Sequence, residues 1–358
     1  MVGVLGAGQL GRMLALAGYP LGLRFRFLDP AADSPASLLA DHLASDYSDR
    51  VALERFARGL DVITYEFENV PVETARYLEQ FTPVYPQPIA LEKAQDRFVE
   101  KSFLCELGIP TPRFTADLKN NHGREQIGFP AVLKTRRMGY DGKGQTVVRS
   151  ESELSDELKK KNTNELILEE FVAFDRELSM ISVRNKAGET KFYPLVENRH
   201  REGILRVSLV TGSISAQLQK KAEEYCAAVM STLSYVGVLV IEFFEKDGRL
   251  LANEIAPRVH NSGHWTIEGA VTSQFENHLR AVSDLPLGST DRLGACAMIN
   301  LVGNLPDLKT ILKIDGAHLH LYDKSPRPNR KIGHVTLVEK DEETLQRRLG
   351  LLKEIVDV

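Results

Sequence analysis

The chain has 358 residues, a length that suits two or three domains, each with a core of its own. Its 45 basic and 49 acidic side chains nearly cancel to a net charge of −4, so no global field attracts DNA or RNA and no nucleic-acid partner is expected. Three cysteines, Cys105, Cys226 and Cys296, without C-x-x-C spacing argue against a disulfide framework or a zinc site; with no leader-like N-terminus and no apolar run near the roughly 18 residues of a membrane span, a soluble cytoplasmic chain without a membrane partner is expected.

The chain opens with "VGVLGAGQLGRMLALAGYPLGLRFRFLD". This reads as a strand, a glycine turn, a helix from about Leu10 to Ala17 and a second strand ending at Asp29, the start of a parallel α/β domain. "GAGQLG" fits G-x-G-x-x-G at Gly6, Gly8 and Gly11, and Asp29 follows 18 residues after the last glycine. Taken alone, that pattern suggests a dinucleotide site, with the acid on a ribose hydroxyl. Gln9 suits other small ligands equally, so an NAD-dependent oxidoreductase is one open reading among several.

Strand-like "VITYEF" at 62–67 and apolar "TPVYPQP" at 82–88 complete a Rossmann-like domain over residues 1–90. Helical spacing then runs from Leu91 to Leu107 and stops at "GIPTP". Next come "AVLKT" and "TVVR", two strands flanking "RMGYDGKGQ", so the glycines occupy a hairpin loop. A Walker A loop is excluded because Lys143 is not followed directly by Ser or Thr. Gly139, Gly142 and Gly144 let such a hairpin fold over a polyphosphate, with Lys143 in the loop and Lys134 on the strand; the plain alternative is an ordinary flexible hairpin. Residues 91–172 are expected to form a linker helix and lid domain. Strands dominate to about 210, a helix follows near 214–234, and residues 173–358 form a third domain with a small β-rich part from about 288.

That third domain contains "IEFFEKDGRLLANEI", a hairpin turning at Asp247-Gly248. A strict two-residue turn sets Glu242 opposite Asn253; one extra bulge residue sets it opposite Glu254 on the same face. In the second register the two carboxylates, about 4 Å apart at an effective dielectric near 20, repel by roughly 4 kcal/mol, so a cation is expected between them. Carboxylates with an amide from Asn253 suit Mg²⁺. In the first register the acids face different sides and only solvate the sheet.

A glycine hairpin, a strand lysine and paired carboxylates together make the chain resemble the ATP-grasp superfamily, and within it the carboxyaminoimidazole ribonucleotide synthases of purine biosynthesis. Eight stretches carry the resemblance from end to end: "GAGQLGRM", "YEFENV", "QDRFVEK", "GYDGKGQ", "EEFV", "NEIAPRVHNSGH", "SQFENHLRA" and "RKIGHVT". It implies an ATP-grasp fold with an N-terminal Rossmann-like parallel sheet, a small lid and a C-terminal antiparallel sheet, in a homodimer. The implied reaction is an ATP- and bicarbonate-dependent carboxylation of aminoimidazole ribonucleotide through carboxyphosphate.

Carried over, the resemblance puts Arg97, Lys134, Gly139, Tyr140, Asp141, Gly142, Lys143, Gly144, Gln145, Glu169, Glu170, Phe171, Val172, Glu177, His200, Asn253 and Glu254 around ATP. Glu242 and Glu254 would hold Mg²⁺, and Arg258 would steady carboxyphosphate. His260 and Asp141 are candidates to orient or deprotonate the substrate amine, with Tyr140 packing it and Gln9, Glu66 and Asn261 binding it. Arg330 and Lys331 would take its 5′-phosphate, although "RPNRK" also reads as a solvated basic face. The chain departs from the family pattern at Met138, where glycine is commoner, at Val259, where proline is usual, and at Thr211-Gly212. A formate-dependent glycinamide ribonucleotide transformylase and a non-catalytic nucleotide sensor are the rival readings.

Overall fold

The computed structural model describes residues 1–139, 142–160 and 162–356. Its first layer is a four-stranded parallel sheet ordered Asp41–Ala44, Phe25–Asp29, Val2–Leu5, Val62–Tyr65. Val2–Leu5 and Val62–Tyr65 are buried at every position, as parallel strands covered on both faces must be. The expected strand at 62–67 thus ends at Tyr65, which leaves Glu66 on the loop beyond the strand's carboxyl end. The "TPVYPQP" stretch contributes only a bridge from Val84 to Ile63.

The helical pattern from Leu91 to Leu107 is two helices, Pro88–Ala94 and Arg97–Glu106, and the expectation of one is corrected. Asp96 interrupts it: its side chain accepts from the Phe98 amide at 3.0 Å, capping a new helix, and binds the guanidinium groups of Arg136 and Arg137 from the next domain. Periodicity missed the break because the apolar spacing continues across it.

The second sheet is small and antiparallel, ordered Phe114–Thr115, Leu166–Glu170, Ala131–Thr135, Gln145–Val148. Leu118, Ile127, Leu133, Leu154 and Leu168 give it a separate core. The third sheet has nine strands, all paired antiparallel. It runs from the hairpin Gly237–Lys246 and Arg249–Ala256 through Arg176–Arg184, Val196–Arg201 and Ile204–Val210 to Ala295–Val302, Lys331–Glu339 and Ala317–Leu321, with Thr190–Phe192 beside Arg176–Arg184. The strands after Ala295 therefore continue the main sheet, although Ile311, Leu345, Leu349 and Leu352 pack a separate core on its far side.

One apolar cluster ties the first layer to the third. Leu10, Met13 and Leu14 of helix Gln9–Gly18 share it with Phe275, Leu279 and Val282 of helix Gln274–Val282. The site stands on this joined base, with the small sheet above it.

Candidate active site

A cleft of about 460 Å³ lies between the small sheet and the hairpin edge of the large one, within the size range of small-molecule sites. The upper wall brings Lys134, Gln145, Glu169, Glu170, Phe171 and Val172, together with Gly142 and Lys143 of the glycine hairpin. The floor brings Glu177, His200, Glu242, Asn253, Glu254, His260, Asn261 and Lys331, and Arg97 closes one end. Gly139 and Gly144 belong to the same hairpin without lining the cleft; Gly139 accepts from Arg97 through its carbonyl at 3.5 Å. At Gly142 an added Cβ would stand 2.9 Å from Gly203 Cα, so the hairpin tip meets the turn joining Val196–Arg201 to Ile204–Val210 and bridges the cleft. Tyr140 and Asp141 lie outside the described residues. Met138 takes φ 61°, in the left-handed region, which explains why glycine suits that position.

The floor hairpin settles the register left open by the sequence. Asp247 and Gly248 form a two-residue turn with positive φ at both positions, as this hairpin class requires. A bulge beside Glu242 then makes Asn253 the extra residue and pairs Glu242 with Glu254. The bulge also removes the Asn253 carbonyl from the ladder, and Lys101 Nζ donates to it at 3.0 Å. Among the described residues, Asn253 Oδ1 is buried with no protein partner. Burial and the neighbouring Glu254 push the Glu242 carboxyl up to about 7. Burial opposes charge on Glu254 as well, but the Arg97 guanidinium at 2.9 Å, backed by Lys134 and Lys101, holds it below the usual range.

Two facing carboxylates and an unpartnered amide oxygen fit a hard cation. No three His, Cys, Asp or Glu side chains gather to form a complete metal cage among the described residues. Such an ion would therefore complete its shell with water and substrate phosphate.

Above the pair, Glu169 Oε2 receives Lys134 Nζ at 2.8 Å and Lys101 Nζ at 3.3 Å. Burial alone would raise the Glu169 carboxyl, yet the two lysines hold it down to about 2. Burial pushes the Lys134 ammonium below its ordinary value, partly opposed by Glu169. His200 donates through Nδ1 to the Glu177 carboxylate at 2.8 Å; burial disfavours its charge, but Glu177 and Glu242 together outweigh that and raise it. Burial, with Arg258, Lys331 and His200 nearby, drives His260 well below the imidazole range.

Arg258, Arg330 and Gln9 do not line the cleft. Arg258 donates through Nε to Glu68 and through Nη1 to the Val259 carbonyl at 2.9 Å. Arg330 donates to the Ser325 carbonyl at 3.2 Å. Asn261 exchanges two hydrogen bonds with the Asn300 amide, at 3.0 and 2.7 Å. Gln9 accepts from Lys324.

The glycine turn differs from the dinucleotide reading. Glu66 places its two carboxylate oxygens at the turn, accepting from the Gly8 and Gly11 amides at 2.5 and 2.7 Å. A Cβ at Gly8 would stand 2.5 Å from Glu66 Oε1, so glycine is required there by a carboxylate of the same chain. Asp29 spends its oxygens on the Ala7 and Ala31 amides. The place of a pyrophosphate is filled, and the NAD reading is set aside.

Within "QDRFVEK", Glu100 and Lys101 are site residues to which the sequence alone assigns no role. Their signal was the i, i+3, i+4 spacing from Arg97, which puts all three on one helix face. Lys101 has no exposed side-chain area. Glu100 accepts from the Ile255 amide, and burial pushes its carboxyl up to about 8. Glu68 was missed because its partner Arg258 is 190 positions away.

Three family models match the chain: a ribonucleotide synthetase preATP-grasp domain at residues 1–95, an ATP-grasp domain at 102–275 and a phosphoribosylaminoimidazole carboxylase C-terminal domain at 296–348. The N5-carboxyaminoimidazole ribonucleotide synthase of Pseudomonas aeruginosa is 51% identical, covering 99% of both chains. A crystal structure of the Thermus thermophilus N5-carboxyaminoimidazole ribonucleotide synthetase superposes with a TM-score of 0.96 at 54% identity, over 100% of this chain and 99% of that one. The Aspergillus clavatus enzyme in complex with ADP and 5-aminoimidazole ribonucleotide superposes with a TM-score of 0.91 at 31% identity, over 99% and 98%.

Proposed function

This chain belongs to the N5-carboxyaminoimidazole ribonucleotide synthase family of ATP-grasp enzymes, and from that premise we propose how its residues divide the work. The enzyme is an ATP-dependent ligase that carboxylates 5-aminoimidazole ribonucleotide in purine biosynthesis, with bicarbonate as co-substrate and ADP and phosphate as by-products. The observation that carries the residue assignment is the bulged pairing of Glu242 with Glu254 beneath the Lys134-bearing wall, one cleft with anionic floor and cationic roof.

In this reading Lys134 and Lys143 meet the phosphates of ATP, Glu169 keeps Lys134 in place, and Glu170, Phe171 and Val172 border the base. Glu177 and His200 line the floor. Glu242 and Glu254, with the Asn253 amide oxygen, hold Mg²⁺, which neutralises phosphate charge when bound. Arg97, ion-paired to Glu254, fixes the direction of that carboxylate. Arg258 supports the carboxyphosphate that forms when bicarbonate attacks the γ-phosphate, a planar anion suited to a guanidinium held by Glu68. His260 and Asn261 meet the reacting amine; the resemblance adds Asp141 to orient or deprotonate it and Tyr140 to pack it, both outside the described residues. Gln9 and Glu66 mark the near side of the ribonucleotide pocket, and Arg330 and Lys331 its phosphate end. Carboxyphosphate is destroyed by water, so the hairpin that spans the cleft serves as a cover as well as a phosphate clamp.

A cytoplasmic homodimer belongs to the same reading. Three unpaired cysteines, one of them exposed, suit a reducing compartment, and exposed Val271 and Leu293, on segments bonded to each other, offer an apolar patch a second copy would cover. A monomeric mass in light scattering would overturn the dimer. The reaction is tested by ADP release from ATP and Mg²⁺ with aminoimidazole ribonucleotide, first without carbon dioxide and then with bicarbonate restored. Release that requires both, with an acid-labile carboxylated product, is the expected result. Release driven by formate and glycinamide ribonucleotide would change the substrate, and release without any acceptor would remove the coupling.

A further inference from the structure

Behind His260 runs a row of buried polar side chains that the carboxylation chemistry does not use. Ser262 Oγ lies 2.9 Å from His260 Nδ1, Ser179 Oγ donates to Ser262 Oγ at 2.8 Å, Asn198 Nδ2 donates to Ser179 Oγ at 2.9 Å, and Ser208 Oγ donates to Asn198 Oδ1 at 2.8 Å. The three serines have no exposed area and Asn198 keeps 4%. Ser179, Asn198 and Ser208 stand on three neighbouring strands, so the row crosses the large sheet beneath the cleft.

Hydroxyl rotors and an amide flip could run this chain in either direction. The backbone cannot. The Ser262 amide N–H also points at His260 Nδ1, at 3.3 Å, and a peptide N–H is always a donor. A proton on Nδ1 would set N–H against N–H and leave a buried amide without its acceptor, which is costly. With Nδ1 taken by the amide, the Ser262 hydroxyl adds a second donor, and Ser179 and Asn198 fall into line behind it. The imidazole proton is then on Nε2, the nitrogen that faces the cleft 3.4 Å from Glu242 Oε1.

We propose that the Ser262–Ser179–Asn198–Ser208 row fixes His260 as the Nε2–H tautomer, so that it enters the reaction as a hydrogen-bond donor to the carboxyl group being transferred and not as the base that removes the amine proton. This rests on the carboxylation reading of the cleft. Ser262 and Ser179 are then positioning residues that act through His260, and a neutral imidazole donor stabilises negative charge developing on the transferred carboxylate.

The test uses the full chain labelled with ¹⁵N-histidine. Long-range proton–nitrogen correlations report the tautomer of each imidazole, and the His260 signals are those missing from His260→Asn. The expected pattern for His260 is protonated Nε2 with Nδ1 as acceptor; protonated Nδ1 overturns the proposal whatever the enzyme's activity. In kinetics, Ser262→Ala is expected to lower kcat by about 10–100-fold, the usual cost of losing a group that orients a ligand residue, with KM for ATP within about twofold. In the His260→Asn background the same substitution is expected to cost nothing further. An equal loss there means that Ser262 acts on stability alone and overturns the positioning role. Ser179→Ala, one step further from the imidazole, repeats the test if Ser262→Ala does not fold. Full activity of His260→Asn overturns both this proposal and the placing of His260 in the reaction, while the tautomer measurement separates the two failures.

Discussion

Glu169 and Glu242 both bury a carboxylate in the wall of one cleft, yet the first is held down to about 2 and the second pushed up to about 7. Glu169 is met by Lys134 and Lys101, so its charge is matched inside the chain. Glu242 faces Glu254 across a bulge, and the charges of His200 and Lys331 do not offset its burial and that neighbour. The difference teaches how to tell a structural acid from a ligand-binding one in the same pocket. Folding supplies the counter-charge for the structural acid, and the ligand-binding acid is left for a cation that arrives with the substrate.

The largest effect that can break this contrast is catalytic. Glu242→Gln is expected to lower ATP turnover by about 10³-fold, the upper range for losing a preorganised charge, while its urea midpoint stays at or above that of the parent because a like-charge pair is relieved. A destabilised Glu242→Gln protein with normal turnover would reverse the roles of the two acids.

Glu169→Gln should do the opposite to the fold. It leaves two buried ammonium groups without their anion, for an expected loss of about 3–5 kcal/mol in urea unfolding. The sign with pH follows from the depressed carboxyl. Its contribution is complete above the unfolded value near 4.5 and is lost as pH falls toward about 2. Unfolding midpoints measured from pH 5 to pH 3 should therefore fall more steeply in the parent than in Glu169→Gln, and parallel slopes would deny the lysines their hold on Glu169.

Glu100 sharpens the comparison with the smallest effect. Its carboxyl is raised to about 8, so the folded state binds a proton that the unfolded state has released, and this term loses stability as pH rises from about 4.5 through 8. Gln mimics the protonated acid and can still accept from the Ile255 amide. Glu100→Gln is expected to lie within about 1 kcal/mol of the parent near pH 4.5, to gain on it steadily as pH rises, and to be the more stable of the two at pH 9. A variant that loses ground as pH rises would show Glu100 ionised in the native state.

The sequence alone determined whatever rests on neighbouring residues. The Asp247-Gly248 turn, the strand pair around the glycine hairpin and the first βαβ unit follow from local conformational preference, because positive φ and strand alternation are properties of a few consecutive positions. The family resemblance likewise needed only motifs in order. What the sequence left open depended on segments that meet only in the folded chain. One bulge chose between Asn253 and Glu254 as the partner of Glu242, Glu66 filled the glycine turn from 58 residues away, and Lys101 reached the Asn253 carbonyl across 152. Charge compensation in a low-dielectric interior falls off over a few ångströms in space and is blind to distance along the chain. The tertiary structure therefore decided which acids are matched and which wait for a ligand.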